Sequence, residues 1–438
     1  MARVAAGSSG ARRVAIDAAV SAALLPATPF GSSQVSATGS IAELKARLFR
    51  RTARGPISSH WGAVNQRAVG NMTQTDKPGS DMASGSSGAL SPLSGFLRIP
   101  PVDEAVRQAA NRRLDILTKP LAALGRLEPL AAQVCAIQGT LQPRIVSPVA
   151  IVFAADHGVS DRGVSAYPRA VTGQMVKNFL AGGAAISVLA RLQGLELWIV
   201  DAGVDGDCGV HPRLINAKIR HGTRDFVAGP AMTAEECRAA LRQGQQALEH
   251  VATSGSNSVV LGEMGIGNTA AAALLMHRLT GLPLPDCVGR GTGLDDPGLE
   301  RKRITLALAS QRTVADDPLQ LLEEFGGYEI AMLVGAMLAA AARRMLIIVD
   351  GFTVTVAALL AARLESEVLS YCVFGHCSAE QPHRALLGQL KVDPLLDLSM
   401  RLGEGTGAAL AVSIVRAALA LFTEMATFEG AGVSGKGS

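Results

Sequence analysis

Four short apolar runs, rich in β-branched residues and each ending in a polar or glycine-rich turn, constrain the fold of this chain more than any other feature. They are Val149-Ala150-Ile151-Val152-Phe153, Leu197-Trp198-Ile199-Val200, Ser258-Val259-Val260-Leu261 and Met345-Leu346-Ile347-Ile348-Val349, with Val373-Phe374 as a weaker fifth. The turns that follow the first four are Asp156-His157-Gly158, Asp201-Ala202-Gly203, Gly262-Glu263-Met264-Gly265 and Asp350-Gly351-Phe352. Helical patterns separate the runs. Continuous apolar strands alternating with helices predict a parallel sheet buried on both faces. In such sheets ligands bind beyond the carboxyl ends of the strands, so all four turns are expected on one rim.

Composition supports a large core. The 438 residues are 48% hydrophobic and 18% charged, enough for one large domain or two ordinary ones. Abundant Gly and Ala with only 4% aromatics point to close helix and sheet packing. The formal charge of +4, much of it within the first 70 residues, gives nucleic-acid binding little support. Six scattered cysteines without a C-x-x-C pair fit reduced thiols in a cytoplasmic protein. No uncharged apolar run reaches the roughly 18 residues needed to span a bilayer, and the tract Ile330 to Ala342 ends at Arg343-Arg344. A soluble protein without a membrane partner is expected.

Residues 1–95 differ in kind, being rich in Ser, Gly, Ala and Arg with few acids. Their composition reads as a low-complexity, disordered extension. An organelle transit peptide and a misassigned start, with Met72 as the true initiator, stay open beside that reading. From Gly95 onward, Val102 to Leu127 has helical apolar spacing broken at Lys119-Pro120.

Two glycine-rich segments carry candidate chemistry. Met400 to Gly407 sets Glu404 between glycines at the start of a helical pattern running from Ala408 to Phe422. Glycines allow close backbone approach, and a helix N-terminus favours an anion, so Glu404 reads as a chemical group at the mouth of a site. Gly262 to Thr269 follows a strand and precedes the helix Ala270 to Leu279, in the form of a phosphate or ribose cradle. A turn in which Asn268 or Thr269 merely caps the helix is the plainer alternative; Glu263 beside the glycines favours function. Gly289 to Gly293, followed by Lys302, is a weaker third loop. Neither a Walker pattern nor a clean dinucleotide fingerprint is present. Asp156-His157 and His376-Cys377 lack metal-ligand spacing, so structural or substrate-contact roles are preferred to a metal site.

Taken in order, Ala155 to Val159 with Gly163 to Pro168, Asp201 to Asp205, Gly262 to Thr269, Asp350 to Phe352, His376 to Glu380 and Met400 to Gly407 resemble the nicotinate-nucleotide:5,6-dimethylbenzimidazole phosphoribosyltransferases. The likeness runs from about Gly95 to the C-terminus. It implies transfer of phosphoribose from nicotinate mononucleotide to a benzimidazole, with Glu404 as general base and Glu263 near the ribose and reacting centre. By the same resemblance Gly265, Asn268, Thr269, Lys302, Gly351, Ser378 and Gly403 form the nucleotide and phosphate site. Tyr167, Met175 and Leu402 would line the base slot. The resemblance implies no metal or cofactor, a homodimer, and a Rossmann-like parallel α/β sheet flanked by helices. It also implies a small helical subdomain from about 96–145 and 408–438, beside a large part at about 146–407. A binding protein that kept the pocket without turnover, and a dehydrogenase, are the competing readings.

Overall fold

The protein is described here by a computed structural model covering residues 98–252 and 255–434. The expected disordered extension, residues 1–95, lies outside the described residues. The body is a six-stranded sheet of order β3-β2-β1-β4-β5-β6, every neighbouring pair parallel. Its strands are β1 (Val149–Ala155), β2 (Glu196–Gly203), β3 (Leu214–Asn216), β4 (Ser258–Met264), β5 (Leu346–Val349) and β6 (Cys372–Phe374).

The parallel sheet flanked by helices is as the sequence predicts. β3 escaped the reading because three residues on a sheet edge, none fully buried, carry almost no apolar signal. β4 also runs two residues beyond Gly262, so Glu263 stands on the strand itself and not in the turn after it. Ile116 to Arg126 forms turns, not helix, between the helices Glu104–Asp115 and Leu127–Gln138. Pro120 and the left-handed Gly125 account for that break.

The chain winds outward from β1 through β2 to β3, then returns to lay β4, β5 and β6 on the other side. This reversal places a switch point between β1 and β4, where Ala154 pairs with Met264. The turns after these two strands therefore meet above the middle of the sheet.

The expectation of close helix packing holds. Helices Ala234–Val251 and Tyr328–Ala342 cross with backbones nearly touching. A Cβ at Gly244 would stand 2.0 Å from the Met332 carbonyl oxygen, and one at Gly335 equally near that of Leu241.

Two stretches, Val171–Gln193 and Thr406–Glu424, are long and apolar enough to cross a membrane. The first is interrupted at Gly182-Gly183 between two short helices. The second packs its apolar face on the helices Leu127–Gln138 and Ala185–Gln193 and on β4 and β5. Its carbonyls at Phe422 and Thr423 accept hydrogen bonds from the Arg113 guanidinium at 3.0 and 3.2 Å.

Candidate active site

Beyond the carboxyl ends of β4 and β5 lies a narrow cleft of about 70 Å³. It gathers Glu263, Gly265, Asn268, Thr269, Gly351, Ser378, Leu402 and Gly403 from the residues singled out in the sequence. Met264, Thr292, Phe352, Glu380 and Arg401 line it as well, and sequence reading had assigned them no role.

Glu404 sits directly behind this wall. Gly403, Glu404 and Gly405 all adopt left-handed backbone, with φ of +85°, +64° and +86°. For the glutamate that conformation costs about 1–2 kcal/mol, so other contacts must hold it. The Glu404 amide donates to the Glu263 carbonyl at 3.3 Å, tying the loop to β4. The Asp350 carboxylate accepts from the amides of Gly405 at 3.1 Å and Ala408 at 2.9 Å. Thr406 Oγ1 donates to the Gly403 carbonyl at 2.8 Å.

The N-terminus of the helix Thr406–Glu424 thus receives the fully buried Asp350 carboxyl from the end of β5. Burial pushes the Asp350 carboxyl up, against the opposing pull of His376, 3.6 Å away, and of those amides. An aspartate closing an apolar strand was the available signal; its target, 58 residues on, was not.

The Glu404 side chain is 5% exposed, and its Oε2 has no hydrogen-bond partner among the described residues. Burial and the Asp350 charge push its carboxyl up to about 7, with the Ile186 amide pulling the other way. Glu263 is pushed further, to about 8, first by burial and then by the neighbouring Glu329, Asp350 and Glu404; a hydrogen bond from Asn268 Nδ2 opposes this. Burial thus lifts both carboxyls towards the neutral range, where a carboxyl can take part in proton transfer.

Under the Gly265 to Asn268 turn lies a fully buried pair, His157 Nε2 and Glu329 Oε1, 2.6 Å apart. Glu329 was missed in the sequence, although a lone acid in the otherwise apolar helix Tyr328–Ala342 is a signal in itself. Asp156 accepts from Thr172 Oγ1 at 2.7 Å and from the Asp205 amide at 2.8 Å, joining the ends of β1 and β2. His383 accepts from the Ser378 amide at 2.8 Å and lies 2.9 Å from Thr355 Oγ1. Its ring is held neutral, pushed down to about 3 by burial. These residues shape the rim from below. Among the described residues no group of three or more His, Cys, Asp or Glu is arranged to hold a metal ion.

Lys302 is fully buried beneath the floor, its Nζ donating to Thr269 Oγ1 at 2.8 Å and to the Gly289 carbonyl at 3.1 Å. Burial drops it to about 8, with Glu380 opposing. Tyr167 and Met175 are not among the residues lining the cleft. Tyr167 is half exposed, and Met175 packs against the core.

Fold and site together define an α/β enzyme with its chemistry at the switch point of a parallel sheet. The family model described as "Phosphoribosyltransferase" matches residues 99–433. The nicotinate-nucleotide–dimethylbenzimidazole phosphoribosyltransferase of Cupriavidus taiwanensis is 58% identical over 340 residues, 77% of this chain and 98% of that protein. The enzyme of the same name from Dechloromonas aromatica is 53% identical over 338 residues, 76% of this chain and 97% of its own length. The crystal structure of CobT from Thermus thermophilus aligns with a TM-score of 0.74 at 44% identity, covering 76% of this chain and all of that one. This chain belongs to the nicotinate-nucleotide–dimethylbenzimidazole phosphoribosyltransferase family.

Proposed function

We infer that the protein transfers the phosphoribosyl group of nicotinate mononucleotide to 5,6-dimethylbenzimidazole, giving α-ribazole 5′-phosphate and nicotinate for the lower ligand of cobalamin. The bond from C1′ to the pyridinium nitrogen breaks, and its electron pair neutralises that nitrogen, so the leaving group needs no proton. One benzimidazole nitrogen bonds to C1′ while the other becomes acidic and must lose its hydrogen. A carboxylate at hydrogen-bond reach accepts it and stabilises the developing cation.

Glu404 is assigned that task. The observation that carries the assignment is its buried Oε2 without a protein donor, on a carboxyl poised near 7. Glu263, protonated at neutral pH, is assigned as a hydrogen-bond donor towards the ribose, a role that adds no negative charge beside an anionic substrate. Gly265, Asn268, Thr269 and Gly403 shape the nucleotide site beside it, and Gly351 and Ser378 line the same cleft. Lys302 acts on the phosphate from below, through the Thr269 hydroxyl and the Gly289 loop. Leu402 offers apolar surface to the base. Tyr167 and Met175 retain a base-selecting role only if the flanking loop and helix approach the cleft when the base binds.

The test is incubation of the protein with nicotinate mononucleotide, with and without dimethylbenzimidazole, while free nicotinate is measured by chromatography. Release only with the base present supports transfer. Binding of both compounds without release would make this a binding protein.

We also propose a homodimer, with the helices at the two ends of the family region forming a small subdomain. Exposed Val188 and Leu192, one turn apart on the helix Ala185–Gln193, offer apolar surface to a second copy. Sedimentation equilibrium at twice the 45.2 kDa chain mass is the expected result.

A further inference from the structure

We propose that Arg401 binds the phosphate of the donor nucleotide and couples its capture to the loop that carries Glu404. The proposal rests on the functional reading above, in which the donor is a ribose 5′-phosphate. Three observations support it.

First, the guanidinium stands at the phosphate end of the cleft. Arg401 Nη1 donates to the Gly291 carbonyl at 3.3 Å. A Cβ on the same Gly291 would lie 2.9 Å from Thr269 Oγ1 and 3.7 Å from Lys302 Nζ. One glycine therefore links the arginine to the lysine and threonine of the cradle.

Second, the cradle is short of cationic charge. Lys302 faces Thr269 and the Gly289 carbonyl, and burial weakens its hold on a proton. Glu380 lies beside it and takes the Gly291 amide at 2.8 Å, so that amide is not free for an anion. Arg290, on the neighbouring stretch of loop, is paired with Asp296 and the Leu294 carbonyl. A phosphate dianion requires more than this. Arg401 has no carboxylate partner among the ion pairs of the described residues. Its long hydrogen bond to a neutral carbonyl is weak beside a charge-assisted bond to phosphate.

Third, Arg401 stands three residues before Glu404, on the segment whose conformation is set by Gly403, Glu404 and Gly405. Phosphate held by Arg401 would fix one end of that segment, and Asp350 already fixes the other. Binding energy from a remote, non-reacting group would then help align the proton acceptor.

The experiment compares wild type with Arg401→Gln and Arg401→Lys on three donors, each with dimethylbenzimidazole: nicotinate mononucleotide, nicotinate riboside without the phosphate, and nicotinamide mononucleotide without the carboxylate. Arg401→Gln is expected to lose about 10- to 100-fold in kcat/KM on both mononucleotides, to stay within about 2-fold of wild type on the riboside, and to be partly rescued by lysine. Equal losses with and without phosphate would make the residue structural and overturn the proposal. A loss confined to nicotinate mononucleotide would assign Arg401 to the pyridine carboxylate and overturn it too. Where the riboside turns over too slowly to measure, titration calorimetry with inorganic phosphate decides. At least tenfold weaker binding in Arg401→Gln is expected, and unchanged binding refutes the clamp. A wild-type protein that releases no nicotinate defeats the functional reading instead, leaving Arg401 to be judged by the phosphate titration alone.

Discussion

The backbone of Glu404 rests on Gly262: a Cβ added to that glycine would lie 2.5 Å from both the carbonyl carbon and oxygen of Glu404. The strand that carries Glu263 and the loop that carries Glu404 are thus in direct main-chain contact. Neither backbone segment can shift towards the other. Gly262→Ala is expected to lift the loop and lower kcat by about 100-fold, the cost of roughly 1 Å of misplacement. Steady-state kinetics with near-UV circular dichroism checks this, and an alanine variant with native kcat would show that the contact is slack.

Glu404→Gln should reduce turnover by about 10²–10⁴-fold with little change in nucleotide affinity, because glutamine keeps the shape and cannot accept the proton. The carboxyl is poised at about 7. In the wild type kcat/KM should therefore rise with pH up to that value, before the fall above about 8 that loss of the Lys302 proton brings. The rising limb should be missing from the residual activity of the glutamine variant; its persistence would assign the ionisation to another group.

The same raised carboxyls make stability depend on pH. Glu263 and Glu404 bind protons up to about 8 and 7 in the folded chain, against an ordinary 4.5. The folded state therefore holds more protons than the unfolded one, and stability falls as pH rises through those values. Below about 6.5 the neutral, buried His383 contributes the opposite slope, and above about 8 Lys302 does so. Tm should drop between pH 6.5 and 8, and less steeply in the Glu263→Gln, Glu404→Gln double variant. Equal slopes in the two proteins would contradict the shifts.

Lys302→Met should raise the KM for the nucleotide by about 10- to 100-fold, the scale of a charged hydrogen bond, while kcat changes less. Since the wild-type amine loses its proton near 8, its KM should climb above that pH and that of the variant should not. A flat wild-type KM up to pH 9.5 would remove the lysine charge from nucleotide binding.

Much of this was written locally in the chain. The apolar runs of β1, β2, β4 and β5 announce a buried parallel sheet because strands covered on both faces need apolar residues at every position. The turns after them announce a functional rim, and the glycines around Glu404 announce a loop where backbone conformation matters more than side chains. β3 was silent for the opposite reason, being a three-residue strand at the sheet edge with no fully buried position. Tertiary structure alone decided which charges face one another. Asp350 reaches the helix after Glu404, Glu329 underpins His157, and Arg401 touches Gly291 only once the sheet has brought distant turns onto one rim. A carboxyl's proton affinity depends on burial and on charges from other strands. A segment read by itself shows that a glutamate is present; folding decides whether that glutamate holds a proton or takes one.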